Sequence, residues 1–422
     1  VQIRIAKGMA KLRHKGALLP AAPVIDFDSN LGEGGYGKVY KARCGTREVA
    51  AKGLSLSKLS EHHIRREVEA HRQVQRKRCE FIVELLEDVR VGDWHYLFLE
   101  LCPMGDLLDL VLDSGGVSES QGYLFFKQIL AAVQHCHSCG VAHRDVKLEN
   151  ILLVAGDMVR LADFGLATRT EPGSSVCLSS EYAGTNSYAA PEVWGHGGEY
   201  DAFRADCWSC GVCLFTMLTN MMPFDKADPA PVGGCIDWRY QLLLDCERLC
   251  GSYIEEMHGA LGIPCTLSLP ARKFIECMLT SAPTTRVSVA ESNNLEWMRL
   301  AGSSMPSVAT WTLPSETNEW SLEEVLRKEE ECRVEVSRSR SWLSDTDVRG
   351  VAGWANGTTE LPSLDPLLLD DAVPAIVWRS SPTCTDPRLD DPIEGDATFA
   401  GNTVGILRPK RQHARSFAST AR

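Results

Sequence analysis

The sequence has no apolar run that approaches the roughly 20 residues a membrane-spanning helix needs, which excludes an integral membrane protein. It also lacks an excess of basic charge, since 44 Lys and Arg stand against 56 Asp and Glu and give a net charge of −12. Phosphate backbones select basic faces, so nucleic acid is not expected as a partner. No internal repeat is found. The 422 residues are 44% hydrophobic and 24% charged, ample for a large buried core.

The sixteen cysteines do not follow the regular spacing of a disulfide framework. Free thiols in a large chain are typical of a reducing compartment, so we expect a cytoplasmic protein, with a nuclear location as the alternative. Two clusters suggest a metal site at first: Cys136 and Cys139 around His137, and a group at positions 207, 210 and 213. Both clusters fall within helical patterns, and we interpret them as core residues.

Apolar patterning divides the chain into three parts. Residues 1–24 carry five basic and no acidic residues, which predicts a flexible basic leader, with a membrane-surface or autoinhibitory helix as the alternative. Residues 25–298 are patterned throughout. Residues 299–422 form a low-complexity tail that we expect to be largely disordered, apart from a helix over 322–336. The first residue is Val1 rather than Met, so an upstream targeting segment is left open.

The patterned region changes character near position 103. Its first part is strand-rich, with strands predicted over 38–42, 47–52, 82–89 and 94–101 and a helix over 62–76. Its second part is helical. Ser118 and Gln121 form a capping box that opens a helix ending at Gly140, and another helix is predicted from Ala205 to Thr219.

A glycine-rich segment, Gly-x-Gly-x-x-Gly-x-Val, extends from Leu31 through Gly32, Glu33, Gly34 and Gly37 to Val39. Glycines let the backbone approach phosphate oxygens closely, although they also make ordinary turns. A dinucleotide fold would require the third glycine to open a helix, whereas strand-like residues follow here. The segment therefore favours a β-hairpin flap over a nucleotide.

Lys52 ends the second predicted strand, where it could bind the α- and β-phosphates of a nucleotide. A lysine on a strand is more often simply solvated, so this interpretation needs a partner. Glu67 on the long helix can provide the carboxylate that holds the ammonium group and keeps it charged.

The segment His143-Arg144-Asp145-Val146-Lys147-Leu148-Glu149-Asn150 precedes Asp163-Phe164-Gly165. Phosphoryl transfer depends on positioning and on charge neutralisation. Asp145 can accept the proton of a substrate hydroxyl, and Lys147 can steady the transferred group. Asn150 and Asp163 offer hard oxygen ligands for Mg²⁺. Each acid alone is usually a solvated turn residue, but together the residues indicate phosphoryl transfer.

These motifs resemble those of the eukaryotic protein kinase family. The resemblance covers residues 25–298 and includes Ala190-Pro191-Glu192, Asp206 and Arg286. It implies an α+β, two-lobed protein kinase fold, with a small β-rich lobe over 25–102 and a large helical lobe over 103–298. It also implies ATP and Mg²⁺ as cofactors. Lys147 is typical of serine/threonine kinases, and the chain resembles the calcium/calmodulin-dependent and AMP-activated group.

The resemblance also implies a nucleotide site. Val39, Ala50 and Leu152 would enclose the adenine, with Leu99 as gatekeeper. Leu99 and Leu152 could also be ordinary core residues, and the two roles are compatible. Backbone groups in the hinge and an acid near the ribose would complete it. The full predicted cofactor-binding set is Leu31, Gly32, Glu33, Gly34, Gly37, Val39, Ala50, Lys52, Glu100, Cys102, Asp106, Glu149, Asn150, Leu152 and Asp163.

The resemblance further implies a regulatory spine of His71, Leu85, His143 and Phe164, in which His71 departs from the usual Leu or Met. A histidine at this position is known in the polo-like branch of the family. The polar ring therefore puts the apolar character of the spine in doubt, but not its existence.

Regulation and specificity follow from charges near the site. Arg144 beside Asp145 needs an anion, and the family's phosphothreonine position falls on Glu181, so we hypothesise that Glu181 supplies a fixed negative charge. The rival phosphosites are Ser175, Ser179 and Ser180.

Asp106 and Glu149 resemble acids that recognise an arginine three residues before the target, although they could instead serve ATP or structure. Leu166 is associated with serine over threonine.

Three further segments lie outside the motifs that carry the resemblance. The stretch 225–269 is longer than usual and includes Trp238, Tyr240 and an apolar run at 242–244, which we interpret either as a surface insertion or as a docking site for a partner. Ser341, behind Arg338 and Arg340, is a candidate autophosphorylation site. Basic residues near the end of the chain suggest nuclear import or a membrane surface: Arg408, Lys410, Arg411 and Arg415.

The sequence therefore predicts a serine/threonine protein kinase acting in signalling, with protein substrates and a monomeric state. Its predicted catalytic residues are Asp145, Lys147, Lys52, Glu67 and Arg144. The alternative is a pseudokinase scaffold that binds nucleotide and partners without turnover. Pseudokinases usually lose at least one of the working residues, whereas all of them are present here.

Overall fold

The structure is a computed structural model that describes residues 2–4, 23–34, 37–195, 198–231 and 234–299. The described residues form an N-terminal antiparallel sheet with one helix, followed by a helical region. The predicted α+β two-lobed fold is confirmed. The expected low-complexity tail, its helix over 322–336, Ser341 and the basic closing segment all lie outside the described residues.

The sheet of the small lobe has six strands in the order β1-β2-β3-β4-β6-β5. Their bounds are Gln2–Arg4 (β1), Val24–Gly34 (β2), Gly37–Cys44 (β3), Arg47–Ser55 (β4), Leu85–Val91 (β5) and Trp94–Glu100 (β6). The four predicted strands are present, and β1 and β2 are additional. Residues 2–4 of the expected flexible leader instead pair with β2, with Ile3 opposite Ile25.

Helix α1, Glu61–Val74, packs against this sheet. Ser60 caps it by accepting a hydrogen bond from the His63 N–H. The helix buries Ile64, Glu67 and His71 on one face. That face brings a carboxylate and an imidazole into the protein interior, and both belong to the predicted site.

The large lobe contains seven helices among the described residues. They are α2 Leu107–Ser114, α3 Glu119–Ser138, α4 Ala202–Thr219, α5 Trp238–Leu249, α6 Tyr253–Leu261, α7 Leu269–Met278 and α8 Val289–Ser292. None of the helices in the described part of the chain has both the length and the apolar character that crossing a bilayer requires.

Short strands and single helical turns connect these helices and carry the site residues. The strands are β7 Val141–Ala142, β8 Ile151–Ala155, β9 Met158–Leu161, β10 Thr168–Arg169, β11 Leu178–Ser179 and β12 Tyr200–Asp201. They pair as β7 with β10, β8 with β9, and β11 with β12. Helical turns span Leu148–Asn150, Asn186–Tyr188 and Pro191–Trp194.

Helix α3 has the ends that the sequence predicts. Ser118 accepts from the Gln121 N–H while the Gln121 side chain accepts from the Ser118 N–H, which completes the capping box. Gly140 follows the helix with φ of 74°. A side chain at Gly140 would also meet the backbone of Thr170 and Glu171, so both conformation and space require glycine there.

Helix α4 lies in the core of the large lobe, and it carries three fully buried cysteines at 207, 210 and 213. Cys136 and Cys139 are buried on α3 and directly after it. The interpretation of both clusters as packing residues therefore agrees with their burial. Among the described residues, no three or more His, Cys, Asp or Glu side chains are grouped so as to hold a metal ion.

The long segment 225–269 forms α5 and α6. Tyr240, Leu242 and Leu243 are buried in the core of the large lobe, and Trp238 packs partly against it. These are the side chains on which the docking hypothesis depended, and they do not form an exposed surface. A partner at 225–269 stays a prediction, and it would have to use exposed residues of the segment such as Leu249.

Candidate active site

Lys52 on β4 lies between two carboxylates. Its Nζ is 2.8 Å from Glu67 Oε1 on α1 and 2.7 Å from Asp163 Oδ1. The structure thus brings together the predicted Lys52–Glu67 pair and adds the aspartate of the Asp-Phe-Gly motif. The pair joins the sheet to α1, because the two residues lie on different elements of the small lobe.

Burial and charge act in opposite directions on these groups. Burial opposes the charge of Lys52, but Asp163 and Glu67 outweigh it and raise the pKa of Lys52 above its usual value. Burial also opposes the charge of Asp163, yet Lys52 and the Gly165 N–H lower the pKa of Asp163. Burial raises the pKa of Glu67 despite the attraction of Lys52. Lys52 and Asp163 therefore face each other as a charged pair.

The glycine-rich segment forms the hairpin of β2 and β3, as predicted. Gly32 lies opposite Val39, and Gly34 lies opposite Gly37. Glu33 pairs with Lys38 at 3.2 Å, and the Leu31 side chain is exposed.

The glycines of this hairpin are not equivalent. A Cβ at Gly32 would meet nothing within 4 Å, whereas a Cβ at Gly37 would collide with the carbonyl oxygen of Gly53 on β4. Gly37 is therefore required by strand packing, which is a different reason from the phosphate contact expected from the sequence.

The backbone of the predicted catalytic loop is fixed by Asp206 on α4. This fully buried carboxylate accepts hydrogen bonds from the His143 N–H at 2.8 Å, the Arg144 N–H at 2.7 Å and His137 Nε2 at 2.9 Å. Arg144 has φ of 63°, a left-handed conformation that costs energy for a residue other than glycine. The Asp206 carboxylate compensates for this strain and sets the position of the next residue, Asp145.

The Asp145 carboxylate is held by three side chains. Asn150 Nδ2 donates to Asp145 Oδ2 at 2.9 Å, and Lys147 Nζ lies 2.9 Å from the same oxygen. Thr185 Oγ1 donates to Asp145 Oδ1 at 2.9 Å and accepts from Lys147 Nζ at 2.7 Å. The carboxylate is therefore oriented before any substrate arrives, as a general base requires.

Asn150 and Asp163 are the residues that could hold Mg²⁺. Asn150 uses its amide nitrogen for Asp145, which leaves the amide oxygen available as a ligand. Asp163 has a lowered pKa and a partly exposed side chain. One amide oxygen and one carboxylate form a hard-oxygen donor set, which suits Mg²⁺ when phosphates and water complete its coordination.

The residues predicted to enclose the adenine come from both lobes. Ala50 is buried and lies opposite the predicted gatekeeper Leu99, and Val39 lies opposite Lys52. Leu152 forms a single β-bridge with Asp106.

The predicted hinge residues could contribute backbone groups. The Glu100 N–H donates to the Glu84 carbonyl oxygen at 2.9 Å, so this N–H already has a partner within the fold. Burial raises the pKa of the Cys102 thiol to about 12, so this side chain stays protonated.

Asp106 and Glu149 already have partners within the fold. Asp106 caps α2 by accepting from the Asp109 N–H at 3.0 Å, and Glu149 accepts from the Tyr188 hydroxyl at 3.1 Å. Burial, reinforced by the nearby acids Asp109 and Glu149, raises the pKa of Asp106 to about 6. Each acid therefore has a structural contact in addition to the role that the sequence predicts.

Three of the four predicted spine residues are in contact. The ring centroid of Phe164 lies 4.6 Å from that of His71 and 5.0 Å from that of His143, and Leu85 is buried on β5. His71 Nε2 hydrogen-bonds to the Val83 carbonyl oxygen at 2.7 Å, which satisfies its polar edge. The stack thus accommodates two histidines, since His143 Nε2 also has a partner, the Ala162 carbonyl oxygen at 3.0 Å.

Glu192 and Arg286 form a bidentate pair in the large lobe, at 2.6 Å and 2.9 Å. The guanidinium is fully buried, and it also donates to three carbonyl oxygens, those of Thr280, Arg204 and Ser281. All of its N–H groups therefore have acceptors, which is the condition for burying an arginine without a large penalty.

The geometry agrees with a comparison against known families, in which the protein kinase domain family matches residues 25–298. The chain belongs to the protein kinase family. The resemblance seen in the sequence motifs is thereby confirmed, and kinase domains in general use ATP and Mg²⁺.

Curated relatives of this kinase carry related names. CBL-interacting serine/threonine-protein kinase 9 of Arabidopsis thaliana is 32% identical over 280 residues, which are 65% of this chain and 57% of the relative. CBL-interacting serine/threonine-protein kinase 17 of the same plant is 35% identical over 218 residues, 52% of this chain and 46% of the relative. Putative CBL-interacting protein kinase 27 of Oryza sativa subsp. japonica is 33% identical over 275 residues, which are 64% of this chain and 62% of the relative. The chain thus spans between 46% and 62% of these relatives' lengths.

Two residues of the kinase site were not identified from the sequence as functional. The sequence assigns no role to Thr185 or to Arg66. Both act through side-chain contacts with residues far away in the chain, Asp145 and Glu181. No local pattern marks such contacts, although the position of Arg66 directly before Glu67 is a signal that could have been used.

Proposed function

We propose that this chain is a serine/threonine protein kinase that transfers the γ-phosphoryl group of ATP to hydroxyl groups of protein substrates. The observation that carries the proposal is the Asp145 carboxylate, which Asn150, Lys147 and Thr185 hold in place, together with the Lys52–Asp163 pair. This arrangement combines a general base with a cation and a carboxylate suited to a metal–phosphate complex.

In the proposed reaction, the substrate hydroxyl oxygen forms a bond to the γ-phosphorus and the bond to the leaving ADP oxygen breaks. Asp145 accepts the hydroxyl proton. Lys147 lies close enough to Asp145 to donate to the transferred group once the substrate enters. Lys52 binds the non-transferred phosphates, and Glu67 holds Lys52 in place.

Asn150 and Asp163 would hold Mg²⁺ in this reaction. The ion supplies neutralisation of the phosphate charge when it is bound. The residues of this chain contribute the ligands, and Lys52 fixes the orientation of the Asp163 carboxylate through Oδ1. Val39, Ala50 and Leu152 would enclose the adenine, with Glu100 and Cys102 contributing backbone groups.

We further propose a preference for serine in a basic sequence context. Glu149 is one of the acids that raise the pKa of Asp106, so the two carboxylates are close enough to interact. Two acids in one region would attract an arginine that precedes the phosphorylated residue. A monomeric state, a cytoplasmic or nuclear location and a partner at 225–269 belong to the same proposal.

A positional peptide library tests the proposal directly. Wild-type protein with Mg-ATP should phosphorylate Ser and Thr peptides, with enrichment of Arg three residues before the acceptor. The Asp145→Asn variant should show no activity above background while still binding ATP. A wild-type protein that binds Mg-ATP but phosphorylates no peptide would instead support the pseudokinase scaffold.

A further inference from the structure

Glu181 lies in the segment between Asp163 and Glu192, and its carboxylate joins two arginines from different parts of the chain. Its Oε2 accepts from Arg144 Nη2 at 3.1 Å and from Arg66 Nη1 at 2.9 Å. Arg66 lies on α1 of the small lobe, and Arg144 lies in the catalytic loop of the large lobe. One carboxylate oxygen therefore connects the two lobes through the segment that separates Asp163 from Glu192.

Arg144 depends on this carboxylate for its charge balance. Its side chain is only 2% exposed, and its other partners are neutral: the Leu166 carbonyl oxygen at 2.8 Å and the Ser179 hydroxyl at 2.6 Å. Glu181 is the carboxylate that neutralises this buried cation. A buried charge that loses its counter-ion is strongly destabilised, so the arginine would move if the carboxylate were removed.

The main chain of Glu181 is also held. Its N–H donates to Ser179 Oγ at 3.3 Å, and its carbonyl oxygen accepts from the Tyr200 hydroxyl at 2.9 Å. Partial burial opposes the charge of the side chain, but the hydrogen bonds from Arg144 and Arg66 outweigh it and lower the pKa of Glu181. The carboxylate is therefore both fixed in place and ionised at neutral pH.

Each arginine directly precedes a working residue. Arg66 comes before Glu67, which holds Lys52, and Arg144 comes before Asp145, the proposed general base. A change at Glu181 can reach both by moving α1 and the catalytic loop.

We infer that Glu181 is a positioning residue whose permanent carboxylate holds α1 and the catalytic loop in their working arrangement, so that the enzyme needs no phosphate on this segment. The inference rests on the proposed kinase function and adds its mode of regulation. Arg66 on α1 binds the same carboxylate as Arg144, so the orientation of α1 also depends on Glu181. The buried Ser179, already bound to Arg144, is poorly placed to receive a phosphate.

The first test removes phosphate from the wild-type protein. The 422-residue protein is treated with a phosphatase, and mass spectrometry verifies that residues 163–192 carry no phosphate. We expect kcat/KM on a peptide substrate to stay within about twofold of the untreated protein, because the Glu181 charge is not removable. A fall of about tenfold or more, the scale of an allosteric coupling, overturns the inference.

The second test changes the carboxylate itself. Glu181→Gln preserves shape but removes charge, and it should lower kcat about tenfold while KM for ATP changes little. Glu181→Asp should recover part of the loss. Glu255→Gln, which removes an exposed carboxylate paired with Arg272 elsewhere in the large lobe, is the matched control and should retain full activity. Equal kcat for Glu181→Gln and wild type contradicts the inference.

A third measurement separates this inference from the proposed function. If untreated wild type phosphorylates no substrate at all, the kinase proposal fails, and hydrogen exchange then decides the inference alone. Glu181→Gln should raise amide exchange in residues 61–74 relative to both wild type and Glu255→Gln. Unchanged exchange in α1 would show that Glu181 does not hold this helix.

Discussion

The ring of His71 packs against the ring of Phe164 with centroids 4.6 Å apart, while His71 Nε2 donates to the Val83 carbonyl oxygen at 2.7 Å. The histidine is 3% exposed, and burial is the main cause that lowers its pKa to about 4. It is therefore a neutral, hydrogen-bonded ring. This resolves how a polar residue can occupy a position in the apolar spine.

The buried His71 makes stability depend on pH. The folded pKa of about 4 lies below the usual value of 6.5, so the unfolded chain binds the proton more strongly. The stability contribution of the neutral ring is complete above pH 6.5 and is lost as the pH falls toward 4. We expect a loss of up to about 1.4 kcal/mol per pH unit in this window from this residue.

His71→Leu should remove that pH dependence, which urea denaturation at several pH values can measure. The variant also leaves the Val83 carbonyl without its partner, so it should be less stable than wild type at neutral pH. Ile64→Val, on the same buried face of α1, is the control and should lower stability equally at every pH. Parallel pH curves for wild type and His71→Leu would contradict this account.

Two glycines of the hairpin flap should respond differently to alanine. Gly37→Ala places a methyl group against the Gly53 carbonyl oxygen and should cost about 1–3 kcal/mol of stability. Gly32→Ala meets open space and should leave the thermal midpoint unchanged, while it raises KM for ATP if this strand covers the nucleotide. Thermal unfolding of both variants checks the first effect, and equal midpoints would disprove it.

Thr185 orients Asp145 and should affect turnover. Thr185→Val preserves the shape of the side chain but loses the hydrogen bond to Asp145 and the acceptor for Lys147. We expect kcat to fall about ten- to a hundredfold, with KM for ATP unchanged, because the general base loses its fixed position. Thr185→Ser retains the hydroxyl and should keep most of the activity. Steady-state kinetics on one peptide compare the three proteins.

Arg286 should be needed for the stability of the large lobe. Arg286→Met leaves the Glu192 carboxylate without its bidentate partner and should cost about 3–5 kcal/mol. Arg248→Met, which breaks an exposed pair with Asp245, should cost less than about 1 kcal/mol. Urea midpoints with unchanged slopes give both values, and a small loss for Arg286→Met would refute the proposed role.

Local signals explain which elements the sequence could predict. The capping box at Ser118, the glycine after α3 and the long apolar run of α4 are set by neighbouring residues, and the structure has them. Strand β2 was expected only as one side of the hairpin flap, and its first part was missed. Ile25 and Phe27 alternate with Asp26 and Asp28, but Ser29 breaks the alternation, and the pairing with β3 contains two irregularities. Its stability comes from hydrogen bonds to β3, which are not visible in the pattern of β2 alone.

Some residues of the candidate site could be identified from the sequence, and others could not. Lys52, Glu67, Asp145, Asn150 and Asp163 could be named because their order and spacing resemble a known family. Arg66 and Thr185 could not, since each acts through a contact 40 or more positions away. The apolar run at 242–244 could not be assigned from the sequence. A helix that is buried in the core and a helix that binds another protein have the same apolar pattern, and only the structure shows which surface covers it.

The three cysteines inside α4 give the molecule a built-in reporter. Burial raises the pKa of Cys207 to about 12 and raises those of Cys210 and Cys213 well above their usual value, so none is a thiolate while the large lobe is closed. An alkylating reagent reaches them only when α4 leaves the core, whereas the exposed Cys235 and Cys250 remain open to attack throughout. The rate of labelling at these three positions thus measures how often α4 becomes exposed by local unfolding of the large lobe.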